Sequence, residues 1–258
     1  MPNVLSKLIS DANARVDTGY YAVTEVVKHD PVSFKSAIRS AEKNAIIAEI
    51  KPISPALGPL RPNLDPVDAA VKLARGGAIA LSILTEPDNF GGNLAFLQGI
   101  RPKVTLPLMM KDIIIDKVQI QAGRKSGADC ILLIETVFSK HSIDSRDDLI
   151  QEAHQNGLEV LLEAHSEDEL DRAMKSDAEI IGINNRDLTT LETDLGNTTR
   201  LLESVDRRAG KILISESGFE TADDIRKMKL VSIDGFLIGS SIMLSQDLES
   251  KVREFVDA

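Results

Sequence analysis

Cysteine is nearly absent from these 258 residues; Cys130 stands alone, which excludes an internal disulfide and suits a reducing cytoplasm. It lies inside the apolar run Cys130-Ile131-Leu132-Leu133-Ile134, where an inert buried thiol is expected rather than a nucleophile. No apolar run is long enough to span a bilayer, and no basic-then-apolar leader opens the chain, so neither membrane insertion nor export is expected. Basic charge is also scarce. With 30 Lys and Arg against 40 Asp and Glu, the net charge of −10 argues against a nucleic-acid surface. It leaves room for a small phosphorylated ligand, which needs only a local electropositive pocket. No Gly-x-Gly-x-x-Gly turn follows the first strand, no Asp, His or Cys cluster has metal-ligand spacing, and no Ser-His-Asp grouping is evident. The four histidines (His29, His141, His154, His165) are scattered, and His165 is read as a loop or surface residue. No metal and no cofactor is expected.

What the chain has is a cadence: a short apolar run, a polar loop, then an amphipathic stretch. The runs cover 45–50, 79–84, 106–110, 130–134, 158–162, 179–183, 211–215 and 235–238. Helical patterns follow near 65–76, 93–100, 116–126, 145–156, 166–175, 195–206, 221–229 and 246–257. Asp65-Pro66 is a helix-start signal, Ser166 to Glu169 has capping-box spacing, and Gly127, Gly157 and Gly210 fall at helix ends. Runs of Val, Ile and Leu without alternation suit strands covered on both faces. Eight such units predict an α/β fold, a (β/α)₈ TIM barrel over residues 45–258. Residues 1–44 precede the repeat and read as an N-terminal helical extension covering part of the barrel, in a single domain overall. An open doubly wound sheet is the weaker alternative, since it would rarely run eight unbroken repeats.

Charged or amide side chains recur where these runs end: Glu49 and Lys51, Lys111, Glu163, Asn184 with Arg186, and Glu216. The downstream rim of a parallel barrel is where its chemistry sits, so these side chains converge on one site. Lysine and glutamate in proximity can act as acid and base, each tuning the other. Any one of them taken singly would serve as a strand-end salt bridge. Gly218 after the seventh run and Gly239-Ser240-Ser241 after the eighth allow backbone N–H groups to approach an anion, which suits a phosphate.

Six segments together resemble the indole-3-glycerol phosphate synthase family. They are Ile46-Ile47-Ala48-Glu49-Ile50-Lys51-Pro52-Ile53-Ser54-Pro55, Leu81-Ser82-Ile83-Leu84-Thr85-Glu86, Met110-Lys111-Asp112, Gly182-Ile183-Asn184-Asn185-Arg186-Asp187-Leu188, Ser215-Glu216-Ser217-Gly218 and Leu237-Ile238-Gly239-Ser240-Ser241. The resemblance implies conversion of 1-(2-carboxyphenylamino)-1-deoxyribulose 5-phosphate to indole-3-glycerol phosphate in tryptophan biosynthesis, with loss of carbon dioxide and water. It further implies Lys111 as the proton donor to the closing carbonyl, Glu163 as the base, and Lys51 as a contact to the substrate carboxylate that can supply the acid for dehydration. Glu49, Asn184 and Glu216 would orient the substrate and stabilise developing positive charge. By the same resemblance Ser217 and Arg186 contact the substrate, with a loop-fixing role open for Arg186. Pro55, Phe90 and Leu132 line the ring slot, and Ser54, Gly218, Gly239 and Ser240 cradle phosphate.

The chain departs from the family pattern at Ile113, where phenylalanine is usual, and at Pro52, where a basic residue is usual. With aromatics at 3% of the chain, a looser ring slot is expected. Two other readings remain at this point. One is a different phosphosugar barrel such as phosphoribosylanthranilate isomerase, whose acid–base pair is typically a cysteine and an aspartate. The other is a non-catalytic barrel binding a phosphorylated metabolite. The expected partner is a small phosphorylated substrate, with no nucleic acid and no membrane, in a cytoplasmic monomer or homodimer.

Overall fold

The computed structural model describes residues 4–140, 146–204 and 210–258. His141, and the outer ends of the helical stretches expected at 145–156 and 195–206, lie outside the described residues. Eight parallel strands form from the apolar runs: β1 Ile46–Ile50, β2 Ala80–Leu84, β3 Leu108–Lys111, β4 Cys130–Ile134, β5 Glu159–Ala164, β6 Ile180–Asn184, β7 Ile212–Glu216 and β8 Gly235–Ile238. Each pairs with its sequence neighbour, and β8 pairs with β1 to close the barrel. Several strands extend past their apolar run, so Lys111, Glu163, Asn184 and Glu216 lie within the ladder rather than beyond it. Hydrogen bonding between neighbours, not side-chain polarity, decides where a strand stops.

The pleat then sorts the side chains. Alternate residues of a strand face opposite sides, one set filling the barrel and the other meeting the helices. Ile47, Met109, Cys130, Leu132, Leu161, Ile180, Ile212, Ile214 and Leu237 form the inner core. Ile46, Ile50, Ile83, Met110, Ile131, Leu162, Ile183 and Ile238 belong to the outer one, against the helices. The polar rim residues follow the inner parity: Glu49 and Lys51 after Ile47, Lys111 after Met109, Glu163 after Leu161, Asn184 after Ile180, Glu216 after Ile214. Inward direction is therefore inherited from the same alternation that builds the core.

The extension consists of α1, Val4–Asp17, and α2, Phe34–Arg39. Leu5, Leu8, Ile9 and Ala12 make the buried stripe of α1, at the spacing of one helical face. They join the inner core, as do Phe34 and Ile38 of α2. The two helices sit at opposite ends of the barrel. Leu8 lines the cavity at the downstream strand ends, whereas Ser33, capping α2, donates to Glu159 at the start of β5 (2.6 Å). Between them the chain descends the outside of the barrel, where His29 Nε2 meets Asp129 (3.0 Å) and Val32 N donates to the same oxygen (2.9 Å).

Short-range contacts start several of the helices. Asp65 accepts from Val67 N and Asp68 N (2.9 and 3.1 Å) ahead of Pro66, starting that helix. Ser166 caps Glu167–Met174, yet the expected box does not close. The Glu169 carboxylate takes Thr136 Oγ1 (2.7 Å) and His165 N (2.9 Å) instead, because it is buried against the preceding loop. A two-residue hairpin, Ile53–Ser54 with Gly58–Pro59, follows β1 and is too short to leave a periodic trace. Its far side is held by Arg61, which donates to the carbonyls of Met243 (3.0 Å) and Ser245.

Candidate active site

The downstream strand ends enclose a cavity of about 570 Å³, within the usual range for small-molecule sites. Glu49, Lys51, Lys111, Glu163, Asn184, Arg186 and Ser217 line it, together with Ser54, Pro55, Phe90, Leu132, Gly218, Gly239 and Ser240. Glu216 alone among the expected site residues stands behind the wall, 1% exposed, and reaches the cavity through Lys111.

Lys111 is the centre of the arrangement. Its ammonium lies 3.1 Å from Glu216 Oε2, 3.3 Å from Glu49 Oε2 and 3.9 Å from Glu163 Oε2. Glu49 uses its other oxygen for Lys51, at 2.7 Å. Asn184 Nδ2 donates to Glu163 Oε1 (2.8 Å) and its own oxygen accepts from Arg186 N (2.9 Å), so the amide orientation follows from both neighbours. The register explains the closeness, since Glu163 pairs with Gly182 and Asn184 with Glu216 across adjacent strands.

Three carboxylates around two ammonium groups in a buried site leave an excess negative charge, and the proton affinities reflect it. Burial and the neighbouring Glu163 push Glu216 up to about 7 despite Lys111. Its Oε1 has no hydrogen-bond partner among the described residues, which leaves the ionised form poorly solvated. Glu163 is likewise raised, by burial first, with Lys111 and Asn184 opposing. Burial would also raise Glu49, but Lys51 and Lys111 outweigh it and hold that carboxylate at about 2. The same three carboxylates overcome burial at Lys111 and hold it protonated well above the ordinary lysine range. The site thus contains a firm cation, a firm anion, Glu216 with its proton affinity at about 7, and Glu163 shifted in the same direction.

Two glycines make room for this cluster. A Cβ on Gly182 would lie 1.9 Å from Glu216 Oε1 and 2.8 Å from Leu161 Cδ2. One on Gly239 would lie 2.4 Å from Glu49 Oε1, so the absent side chain at Gly239 serves β1 as well as any anion at the loop. Gly182→Ala should therefore displace the Glu216 carboxylate and lower kcat by about tenfold or more, while a cooperative melting transition shifts down by several degrees. A variant with unchanged kcat would mean that Glu216 is not needed where it stands.

The loop after β7 has a left-handed pair, Ser217 at φ 69° and Gly218 at φ 90°. A non-glycine residue in this region carries strain of about 1 kcal/mol. Asn185 holds it, donating to Ser217 O (3.1 Å) and Ser215 Oγ (3.0 Å) while accepting from Thr198 N and Oγ1 (3.1 and 2.8 Å). Ser54, on the hairpin, is buried. Ser241 is committed to Phe219 O (2.7 Å), leaving Ser240 as the first residue of the short helix Ser240–Leu244 at the cavity.

Arg186 divides its role. It lines the cavity, and its Nη1 donates to Leu191 O (2.7 Å), so it braces its loop by a hydrogen bond to backbone rather than an ion pair. His165 is a loop staple, with Nδ1 on Asn184 O (2.8 Å) and Nε2 3.8 Å from Asp187 Oδ2. Cys130 is fully buried in the inner core, where burial raises its thiol pKa. Sequence reading missed Val4, Leu8, Ile134 and Leu191, which extend the apolar wall formed by Phe90, Ile113 and Leu132. The spacing of α1 gives a helix that covers part of the barrel, and nothing in that spacing tells core from cavity wall.

Similarity to known proteins extends over most of the chain. The family model described as indole-3-glycerol phosphate synthase matches residues 5–255. The chain is 39% identical to the indole-3-glycerol phosphate synthase of Staphylococcus saprophyticus subsp. saprophyticus over 250 residues, covering 95% of this chain and 94% of that one. It is 42% identical to that of Methanocaldococcus jannaschii over 236 residues (90% and 86% covered). With that of Hyphomonas neptunium it shares 44% over 214 residues (81% and 77%). Among solved structures, thiamine phosphate pyrophosphorylase from Pyrococcus furiosus superposes with a TM-score of 0.61 at 16% identity, covering 86% of this chain and 96% of that one. That likeness concerns the barrel fold alone.

Proposed function

We propose a division of labour for the site residues of this chain, which belongs to the indole-3-glycerol phosphate synthase family. It is a carboxy-lyase of tryptophan biosynthesis that closes the ring of 1-(2-carboxyphenylamino)-1-deoxyribulose 5-phosphate, releasing carbon dioxide and water. Ring closure joins the carboxylate-bearing ring carbon to the substrate's carbonyl carbon and develops negative charge on the carbonyl oxygen. Lys111 donates the proton to that oxygen. The observation that carries this assignment is the Lys111 ammonium held among Glu49, Glu163 and Glu216, protonated and directed into the cavity.

Loss of carbon dioxide restores the electron pair to the ring system, and dehydration follows. Glu163 removes the ring proton, supported by its raised affinity and its anchoring by Asn184. Lys51 pairs with the substrate carboxylate and supplies the proton for the departing hydroxyl. Its only ion-pair partner among the described residues is Glu49, on the same strand end. Glu49 and Glu216 offset the positive charge that builds on the substrate nitrogen as the ring closes. Phe90, Leu132 and Pro55, with Ile113, take the aromatic ring. The phosphate is received by Ser54, Ser240 and the backbone at Gly218 and Gly239. The lone buried cysteine supports a cytoplasmic setting.

The direct test is turnover of this substrate by the purified protein, followed by the rise of indole fluorescence. Folded protein that produced none would overturn the assignment. The glutamate pair gives the reaction its pH dependence. A base must be ionised to act, and Glu216, with its protonation near pH 7, shares the site's excess proton with Glu163. kcat/KM should fall as pH drops below about 7. Glu216→Gln removes the group that titrates there, so the acid limb should move to lower pH. A limb that stayed near 7 in the variant would assign it elsewhere.

A further inference from the structure

A second buried polar cluster lies beside Lys111, with Asp112 and Glu86 bordering the same cavity and Arg15 and Tyr21 supplied by the N-terminal extension. Asp112 follows Lys111 in the chain and is 2% exposed. Its Oδ1 accepts from Ile113 N (2.8 Å) and the Tyr21 hydroxyl (3.2 Å), and its Oδ2 accepts from Thr85 Oγ1 (2.6 Å). Thr85 also donates its backbone N–H to Lys111 O, at 3.0 Å. One threonine therefore fixes both the carbonyl of Lys111 and the side chain of the next residue. On the other side Tyr21 accepts from Arg15 Nε (3.3 Å), and Arg15 Nη1 is paired with Glu86 (2.7 Å) and Asp88 (2.5 Å). A continuous line of polar contacts runs from α1 through Tyr21, Asp112 and Thr85 to the backbone of Lys111.

We propose that Tyr21 and Arg15 are positioning residues for the Lys111 ammonium, acting through Asp112 and Thr85. The inference rests on the reading of Lys111 as proton donor. A lysine has a flexible four-carbon stem, and this one faces three carboxylates at 3.1, 3.3 and 3.9 Å. Those partners hold its charge without singling out one position for the nitrogen. The direction in which the stem leaves β3 narrows the choice, and that direction is set by the peptide that Thr85 and Asp112 hold.

Anchoring the extension is an insufficient reason for such a cluster. The stripe Leu5, Leu8, Ile9 and Ala12 already buries α1 against the inner core. Apolar side chains of similar volume generally serve as well as a buried ion pair for stability. Here Glu86, Asp88 and Asp112 gather around the single guanidinium of Arg15, whose Nη2 is buried without a hydrogen-bond partner among the described residues. The arrangement is costly as a rivet, yet suited to holding one carboxylate in place beside the proton donor.

Tyr21→Phe removes one hydroxyl and keeps the ring that packs edge-on to Tyr20. It should lower kcat by about tenfold while KM stays within about twofold and the melting temperature shifts by only a few degrees. Thr85→Val, which removes the shortest donor to Asp112, should give the same split. Unchanged kcat in both variants would overturn the proposal, as would a parallel rise in KM with a large loss of thermal stability. Lys111→Ala measured beside them separates the two levels of inference. If it abolishes turnover while Tyr21→Phe and Thr85→Val leave kcat intact, the coupling is wrong and the proton donor stands. If Lys111→Ala turns over normally, the premise itself falls.

Discussion

Lys111→Ala should reduce kcat by about 10²–10⁴-fold, and the loss should appear in carbon dioxide release as much as in indole fluorescence. Closure is the first bond-forming step, and without a donor the alkoxide must form unneutralised in a site that already holds three carboxylates. Its departure also alters the resting protein. Glu49, Glu163 and Glu216 lose the cation they share, and Lys111 is the chief influence holding Glu216 and Glu163 down against burial. Both glutamates should then take up protons at higher pH than before. A carboxyl whose folded affinity lies above its unfolded one destabilises the fold as pH rises between the two values. The variant should therefore melt lower at pH 8 than at pH 5, relative to wild type at the same two values. Equal melting shifts at both pH values would mean the three glutamates do not depend on this ammonium.

Glu163→Gln should also lower kcat by about 10²–10⁴-fold, but at a different step. The amide oxygen can still accept from Asn184 Nδ2, the 2.8 Å contact that orients Glu163, so the geometry survives while basicity is lost. Ring closure and decarboxylation need no base at this position. In a single turnover, carbon dioxide should leave at close to the wild-type rate, while indole fluorescence lags behind it. Simultaneous loss of both signals would place Glu163 in the closure step and contradict its role as the base of dehydration. The contrast between the two variants is the more demanding test, because general damage to the site would slow both signals in both proteins.

Much of the architecture is written in local pattern. Eight apolar runs are separated by stretches long enough for a helix, and that order admits few folds. The rim residues were legible for the same reason. Glu49, Lys111, Glu163 and Glu216 each stand at or near the downstream end of a mostly apolar strand, and a charge at such a place needs a partner or a task. Strand ends were less legible. β3 begins two residues into its apolar run and ends on Lys111, because Pro107 has no N–H and Lys111 still has backbone partners in β2.

The least legible features join distant parts of the chain. Arg15 meets Glu86 and Asp88 across more than 70 residues, and neither motif nor spacing signals the pairing. Gly182 reads as a small residue in a strand until the fold lays the Glu216 carboxylate over it. The capping box at Ser166 failed because Glu169 had a stronger claim on it from Thr136 and His165. In each case a tertiary contact decided between local alternatives that sequence leaves equal.

The placement of α1 and α2 at opposite ends of the barrel has a consequence for how the polypeptide assembles. These helices emerge from the ribosome before any strand, yet α2 docks against residues as late as Glu159 in β5 and Gly210 ahead of β7. A segment that precedes every strand in the chain is thus expected to settle only after much of the barrel has formed. Until then the Leu5, Leu8, Ile9 and Ala12 face stays open to other chains, as does the unfinished sheet. Loop closure over such separations is slow compared with forming one strand–helix unit. The extension works as a late-arriving clasp, and conditions that slow barrel closure should expose this face to aggregation before any strand is lost.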